Sequence, residues 1–437
     1  MTMSLTNAEN AFKAQIDAPI ASFFSTCVHC GLCAHACLFY TETGDARYTP
    51  IHKTEPLRRV WWQEYTFWGK LAKAVGLTKP ISHEELAEWE ELVYDGCTLC
   101  GRCTLICPVG NDITYMLRKT REGMVASGHA PKGLKDATSR SIKIGSPMGV
   151  TLQTLQAQIK HAEKETGLTV PMDKEGADYM LILSSAEIAQ FHEIIPAVTR
   201  IFHEAGVSWT LASDGFEGTN SGMQIGSSDL AAQIVQRLVD AAERLKVKYV
   251  VTPECGHAYM AFRWEGPNLI GRAYPFEVLH ILELLDQLRQ DGRLRTEGLE
   301  EGRLTFHDPC QIVRRGGVVQ QPRSLLKMVA PDFKELPEHG TLNWCCGGGG
   351  GVSAIERAEP LRLKVFSIKK RQLDSVGVDT LVTACSNCRN MLEEGLEEYH
   401  MDNIEVVGLT ELLANHLVTR APEGTAETSA TTGEQTT

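Results

Sequence analysis

Residues 27–37 read CVHCGLCAHAC, and residues 97–107 read CTLCGRCTLIC. The cysteine spacing of Cys27, Cys30, Cys33 and Cys37 is repeated by Cys97, Cys100, Cys103 and Cys107. A C-x2-C-x2-C-x3-C run wraps a short loop around one face of a [4Fe–4S] cube and sends its fourth thiolate down a helix. Soft sulfur donors hold iron in both of its oxidation states. Gly31 and Gly101 follow the second cysteine of each run, where a residue without Cβ lets backbone N–H groups approach cluster sulfurs. Pro108 ends the second run in the usual Cys-Pro, whereas Leu38 stands there in the first, a change that leaves the ligands intact. Structural zinc sites use two separated cysteine pairs, not four ligands in eleven residues given twice. Two cubane clusters are therefore expected. In two-cluster ferredoxins the fourth cysteine serves the other cluster, so Cys107 should join Cys27, Cys30 and Cys33, and Cys37 the other set.

The rest of the chain limits what such clusters can serve. At 437 residues it predicts two or three domains, and 43% hydrophobic with 22% charged residues is ordinary for a protein with a buried core. A net charge of −12 argues against nucleic acid, whose phosphates need a surplus of Lys and Arg. No apolar run is long enough to span a bilayer, and the N-terminus lacks the basic and apolar regions of a signal peptide. A cytoplasmic protein is expected, touching the inner membrane only through a partner. Disulfides are rare in that compartment, so fourteen cysteines read as metal ligands.

Between the two motifs, LRRVWWQEYTFWGKLAKAVG and SHEELAEWEELVY carry apolar residues every three or four positions and predict helices. Trp61, Trp62, Trp68 and Trp89 are read there as core, with a docking face as the alternative. TLQTLQAQIKHAEKETG is a polar helical connector. Beyond it, YMLILSS, VSWTLA, KYVVTP, RLTFHD and DTLVTA read as strands, with helices such as DLAAQIVQRLVDAAERLK between them. This alternation predicts two open α/β units. KYVVTPECGHAY and DTLVTACSNCRN occupy similar places and suggest an internal duplication. The tail APEGTAETSATTGEQTT has no apolar periodicity and is expected to be disordered.

Cys310, Cys345, Cys346, Cys385 and Cys388 make a second constellation, C-x34-C-C followed by x38 and C-x2-C. Adjacent cysteines do not share one cubane in the ferredoxin manner; they bracket an open or distorted cluster or leave one thiolate free. Gly347 to Gly351 follow directly, and Gly347 and Gly348 are the expected cofactor-binding backbone. A phosphate loop is excluded because no Lys-Ser or Lys-Thr follows. Cys345 and Cys346 are the expected seat of the chemistry. Cys255 is either a leftover buried thiol or a group facing the cluster. His257 and His307 lie beside these cysteines as proton donors or as structural histidines.

HDPC, WCCGGGGG and ACSNC resemble the CCG cysteine-rich domain of heterodisulfide reductase B and D subunits. The same domain occurs in iron–sulfur subunits of glycolate, lactate and glycerol-3-phosphate oxidising systems. Two ferredoxin motifs followed by CCG units resemble the D subunit of heterodisulfide reductase and, equally, the K subunit of the complex associated with dissimilatory sulfite reductase. The resemblance implies a multi-domain chain: an α-helical ferredoxin-type domain at 1–145, a helical connector at 146–175, and a duplicated α/β CCG domain. Its first copy, 176–298, is degenerate; its second, 299–418, is complete; 419–437 is the tail. Only Cys255 marks the first copy, so one catalytic cluster is implied, cubane or noncubane, beside two ordinary [4Fe–4S] clusters. Thiol:disulfide oxidoreductase chemistry in sulfur metabolism is implied, on a disulfide, trisulfide or persulfide of a small sulfur-carrier protein. The alternative is an electron-transfer subunit of a flavin-dependent hydroxyacid dehydrogenase. Either role implies partner redox subunits, a flavoprotein or a quinone-reactive membrane subunit. No G-x-G-x-x-G opens a strand–helix unit here, so any flavin belongs to a partner.

Overall fold

A computed structural model describes residues 5–419, so nearly all of the tail expected to be disordered lies outside the described residues. The first third is helical. Helices Leu5–Lys13, Ala18–Thr26, Glu55–Tyr65, His83–Glu90 and Ile113–Ala126 surround a core that includes Phe12, Ile20, Leu57, Trp89, Tyr94 and Met116. Their starts are written locally. Asp17 accepts the amide of Ile20, and Ser82 with Glu85 closes a reciprocal capping box. The tryptophans divide. Trp89 is core, Trp61 and Trp62 are half-buried, and Trp68 stands in solvent.

Beyond helices Lys132–Ile144 and Leu152–Thr166 come two small parallel sheets. The first holds β1 (Tyr179–Leu181), β2 (Trp209–Thr210), β3 (Tyr249–Thr252) and β4 (Glu277–His280) in the order β2-β1-β3-β4. The second holds β5 (Leu304–His307), β6 (Lys334–Glu335), β7 (Thr380–Thr383) and β8 (Glu405–Gly408) in the same relative order, β6-β5-β7-β8. Each strand is short and largely apolar, as expected where helices cover both faces of a parallel sheet. The five strands read from sequence are present. The others, β4, β6 and β8, give no clear sequence signal because they are short and begin with exposed or charged residues.

Helices Ile194–Glu204 and Ser228–Leu245 bury an apolar stripe at three- and four-residue spacing, including Ile234, Val235, Leu238, Val239 and Leu245 of the second. Helix Leu152–Thr166 packs on Ile194–Glu204, burying Leu155, Ile159 and Ala162 in a core that continues through Val251, Phe306 and Val382. The two sheets thus share one apolar interior.

Their carboxyl ends meet. Ser184 and Ser386 share a hydroxyl hydrogen bond of 3.0 Å, and Ser386 N–H donates to the Glu254 carbonyl at 2.8 Å. Glu254 Oε1 accepts the amide and hydroxyl of Thr410 at 2.8 and 2.6 Å, while Glu187 accepts the Glu254 amide at 3.0 Å. Burial pushes the carboxyls of Glu187 and Glu217 up to about 7 and that of Glu254 up to about 8.

These raised values set a sign for stability. Between the ordinary carboxyl value of 4.5 and about 8, the folded chain keeps protons that the unfolded chain has released. Stability is therefore present at low pH and lost as pH rises through that window. Thermal unfolding followed by circular dichroism should show a midpoint falling between pH 5 and pH 8, and Glu254→Gln should flatten part of that slope. A slope unchanged in the variant would mean that Glu254 is ionised in the folded protein.

Candidate functional site

Both ferredoxin motifs adopt one backbone. His29 and Leu99 have φ of 51° and 54°, and Gly31 and Gly101 follow with φ of 80° and 81°. Left-handed conformations at these positions curl the loop so that its three cysteines converge; for His29 and Leu99 this costs strain that a glycine would not carry. Cys27, Cys30 and Cys33 line one cavity together with Cys107, and Cys97, Cys100 and Cys103 line another with Cys37. The grouping is crossed between the motifs. Cys30 is exposed, whereas Cys97 and Cys103 are buried, so the first cage faces solvent and the second lies inside.

The inner cage is surrounded by cations. Lys53 is 1% exposed, and its Nζ reaches Cys37 Sγ at 3.6 Å, donates to the Gly96 carbonyl and lies 5.2 Å from the centre of the Phe39 ring. Arg121 is fully buried and spends its donors on carbonyls. Nη2 bonds Cys97 at 2.7 Å and Val93 at 3.0 Å, and Nη1 bonds Gln224 and Gly350 at 2.6 and 2.5 Å. Neither residue has a sequence signal, because a buried lysine or arginine looks like a surface one until its neighbours are known.

The remaining cysteines gather at the carboxyl ends of β5 and β7. In the order β6-β5-β7-β8 the connections leave in opposite directions between these two strands, the place where open α/β sheets hold their ligands. His307 ends β5, Cys310 follows it, and Cys385 caps helix Ser386–Glu398 after β7. Cys310 and Cys345 stand 3.9 Å apart. Thiol contacts then run from Cys345 to Cys346, from Cys346 to Cys388 and from Cys388 to Cys385. All five are buried. Neighbouring thiols stabilise Cys346 as a thiolate, the hydrogen bond from Cys345 being the largest contribution. Asp308 holds the loop through a two-bond ion pair to Arg323 at 2.8 and 2.9 Å. Lys369, also buried, is pulled down to about 8 by desolvation against the attraction of Asp308 and the thiols.

One contact joins the two systems: Cys100 of the inner ferredoxin cage meets Cys345 thiol to thiol. The seam around it is well bonded. Gln311 donates to the Leu99 carbonyl at 2.8 Å, Arg314 to the Cys100 carbonyl at 2.9 Å, and Arg102 lies 3.5 Å from the Trp344 ring centre. The glycine run serves this seam. A Cβ on Gly350, whose φ is +61°, would stand 2.8 Å from the backbone of Thr98. The sequence pattern assigns these glycines to cluster and substrate. Gly348 N–H does bond Cys346 sulfur, Gly347 makes the positive-φ turn before it, and the later glycines pack against the ferredoxin loop.

Cys255 caps a helix just as Cys385 does, with φ/ψ of −142°/107° against −151°/113°. It lies close enough to Cys385 for like-charge repulsion, and Gly256 N–H bonds the Cys385 sulfur. Burial pushes the Cys255 thiol up. His257 Nε2 accepts the Gly350 amide at 2.9 Å, which leaves its proton on Nδ1, and burial lowers the imidazole to about 4. Both residues line an open cleft of ≈ 660 Å³ with Arg362, Asn387, Met391 and Gln190. The cleft is built from many separate segments, and for that reason no stretch of sequence announces it.

The donor sets, eight thiols in two four-cysteine cages and five in a third group, suit iron–sulfur clusters. Residues 24–111 match the model of a 4Fe-4S dicluster domain, and residues 304–393 match the CCG model, a cysteine-rich domain. The chain is 27% identical to an Hdr-like menaquinol oxidoreductase iron-sulfur subunit 2 from Archaeoglobus fulgidus, covering 91% of this chain and 80% of that protein. It is 27% identical to the D subunit of dihydromethanophenazine:CoB–CoM heterodisulfide reductase from Methanosarcina acetivorans, covering 90% and 93%. An EtfAB:quinone oxidoreductase from Syntrophomonas wolfei is 24% identical over 85% of this chain and 55% of its own length. Among the described residues no helix is long and apolar enough to cross a membrane. The chain is an iron–sulfur oxidoreductase subunit that joins a 4Fe-4S dicluster domain to a CCG cysteine-rich domain and is similar, over most of its length, to heterodisulfide reductase-like subunits.

Proposed function

We propose that this subunit carries single electrons between a partner redox subunit and a sulfur–sulfur bond at the cysteine-rich site. The observation that carries the reading is the thiol contact between Cys100 and Cys345, which makes the solvent-facing cage, the inner cage and the five-cysteine group one sequence of stations. In this reading Cys27, Cys30, Cys33 and Cys107 hold the first [4Fe–4S] cluster, and Cys37, Cys97, Cys100 and Cys103 the second. Cys310, Cys345, Cys346, Cys385 and Cys388 hold a third. When bound, these clusters supply one-electron storage.

Reduction is balanced as one disulfide plus two electrons plus two protons giving two thiols. Reduction potentials of cluster and dithiol set the direction. The cleft admits a polar substrate to Cys255 and His257. In this reading Cys255, kept protonated by burial, and the Nδ1–H of His257 are the proton-bearing groups of the cleft that serve the two protonations. The cleft wall carries both signs, with Arg140 and Asp136 and the ion pair of Arg362 with Glu394. A disulfide, trisulfide or persulfide on a small sulfur-carrier protein is the substrate in this reading. The two sheets are read as two copies of the CCG unit, the first without its own cluster; equal strand order and the matched backbone of Cys255 and Cys385 support this. The second reading, electron transfer between a flavoprotein and quinone without disulfide chemistry, is favoured by the similarity to the EtfAB:quinone oxidoreductase.

Anaerobically purified protein should contain about twelve irons per chain, three clusters of four. Cys345→Ser and Cys346→Ser, made separately, should abolish disulfide turnover in at least one case while most of the iron is retained. Full turnover in both, measured with a thiol-detecting assay, would leave only the electron-transfer reading.

Lys53→Met should lower the midpoint potential of the inner ferredoxin cluster and leave the outer one unmoved. A reduced cluster carries one more negative charge, and the buried ammonium beside Cys37 stabilises that form. A redox titration monitored by electron paramagnetic resonance checks this, and equal shifts in both clusters would contradict it.

A further inference from the structure

His307 has no protein partner for either ring nitrogen among the described residues. It is 0% exposed, and both Nδ1 and Nε2 lie out of hydrogen-bonding reach of any donor or acceptor there. Other buried polar atoms without partners occur among the described residues, but His307 is the side chain in which two of them fall together. A buried polar group left unpaired loses its solvation with nothing in return, so such an atom in a native protein asks for a missing partner. The backbone cannot have left it there by accident of a loop. His307 closes β5 opposite Thr383, and its carbonyl accepts the Thr383 hydroxyl at 3.3 Å. The ring is therefore held by the sheet.

A ring nitrogen of His307 and the sulfurs of Cys346 and Cys388 all lie within 4.8 Å of one another. Nitrogen and sulfur ligands on one transition-metal ion, bonded at about 2.0–2.3 Å, stand at most about 4.5 Å apart. Cys310 and Cys345 lie together elsewhere in the group, with Cys345 turned toward Cys100. The imidazole thus faces the Cys346–Cys388 side, away from the ferredoxin seam. Neutral imidazole is an ordinary iron ligand.

We propose that His307 is an iron ligand of the cluster in the cysteine-rich domain, bonding through one ring nitrogen beside Cys346 and Cys388. This rests on the reading that those cysteines hold a cluster. A neutral ligand adds no negative charge where a further thiolate would add one, and histidine ligation raises the potential of Rieske centres. The potential of the third cluster is thereby held above the value it would have with a cysteine at position 307.

The test uses the anaerobically purified full chain labelled with ¹⁵N-histidine. Electron–nuclear double resonance on the paramagnetic state of the third cluster should show a strongly coupled histidine nitrogen. The coupling should persist in His257→Ala and vanish in His307→Ala. His307→Cys should keep the iron and lower the midpoint potential of that cluster alone. A third cluster with no strongly coupled nitrogen in the unsubstituted protein, or a coupling that survives His307→Ala, would overturn the assignment. A weak coupling only, the mark of a hydrogen bond to cluster sulfur, would overturn it as well. Should His307→Ala fail to assemble the cluster, the labelled unsubstituted protein and His257→Ala still decide. An iron content near eight with no third signal would remove the cluster itself and is distinguishable from all of these.

Discussion

Buried positive charge facing buried sulfur is the interaction on which the arrangement depends. Arg121, Lys53 and Lys369 are among the largest side chains with almost no solvent exposure. Taking such cations out of water costs several kcal/mol each unless something negative or strongly polar replaces the solvent. Here no carboxylate bonds them directly. Arg121 meets only carbonyls, Lys53 a carbonyl and Cys37, and Lys369 the amide oxygen of Gln372 at 2.7 Å. Negative charge reaches them from a short distance instead: Cys97 and Asp95 act on Arg121, and Asp308, Cys346, Cys345 and Cys388 on Lys369. The sulfur groups thus share with two aspartates the task of balancing the buried cations.

Arg121 also fixes the relation between domains. One guanidinium holds the Cys97 loop, the Val93 turn, the Gln224 carbonyl of the first sheet region and the Gly350 carbonyl of the glycine run. Tyr94 lies under it at 4.6 Å and donates to the Ile225 carbonyl at 2.7 Å. Three segments far apart in sequence, at 93–97, 224–225 and 350, are thus tied to Arg121 beside the seam between the second ferredoxin loop and the glycine run. The glycines let backbone approach backbone there, and the seam keeps the two thiol groups in contact.

What the sequence disclosed follows from how local each feature is. The eight ferredoxin cysteines were legible because a cage is mostly one loop, and a loop is set by spacing, by Gly31 and by Gly101. Strands β1, β3, β5 and β7 were legible because they are central and apolar, whereas β4, β6 and β8 carry Glu277, Lys334 or Glu405 and read as loop. Lys53, Arg121 and Lys369 were not legible, since nothing near them in sequence distinguishes a buried cation from a solvated one. His307 was visible as a residue beside Cys310, yet its two unpaired nitrogens are a property of the packed sheet. The cleft at Cys255 belongs to the same class, being assembled from both sheets and the helices before them.

The first sheet has one cysteine, and its part in the site follows from where its strand ends point. Its β3 delivers Glu254, Cys255 and Gly256 to the face of Cys385 and Ser386, and the bonds there are reciprocal: Gly256 N–H to Cys385 sulfur, Ser386 N–H to Glu254 carbonyl. One sheet closes over the carboxyl ends of the other and removes water from the thiols. A thiol group at the bare edge of a single sheet would be solvated, and its potential would be set largely by water. Enclosed between two sheets, it is set by Lys369, by the amides of Gly256 and Gly348 and by His307. The wide cleft among the described residues lies at Cys255 and His257, on the side where the first sheet covers Cys385, and in the disulfide reading proposed above it is the route of a substrate.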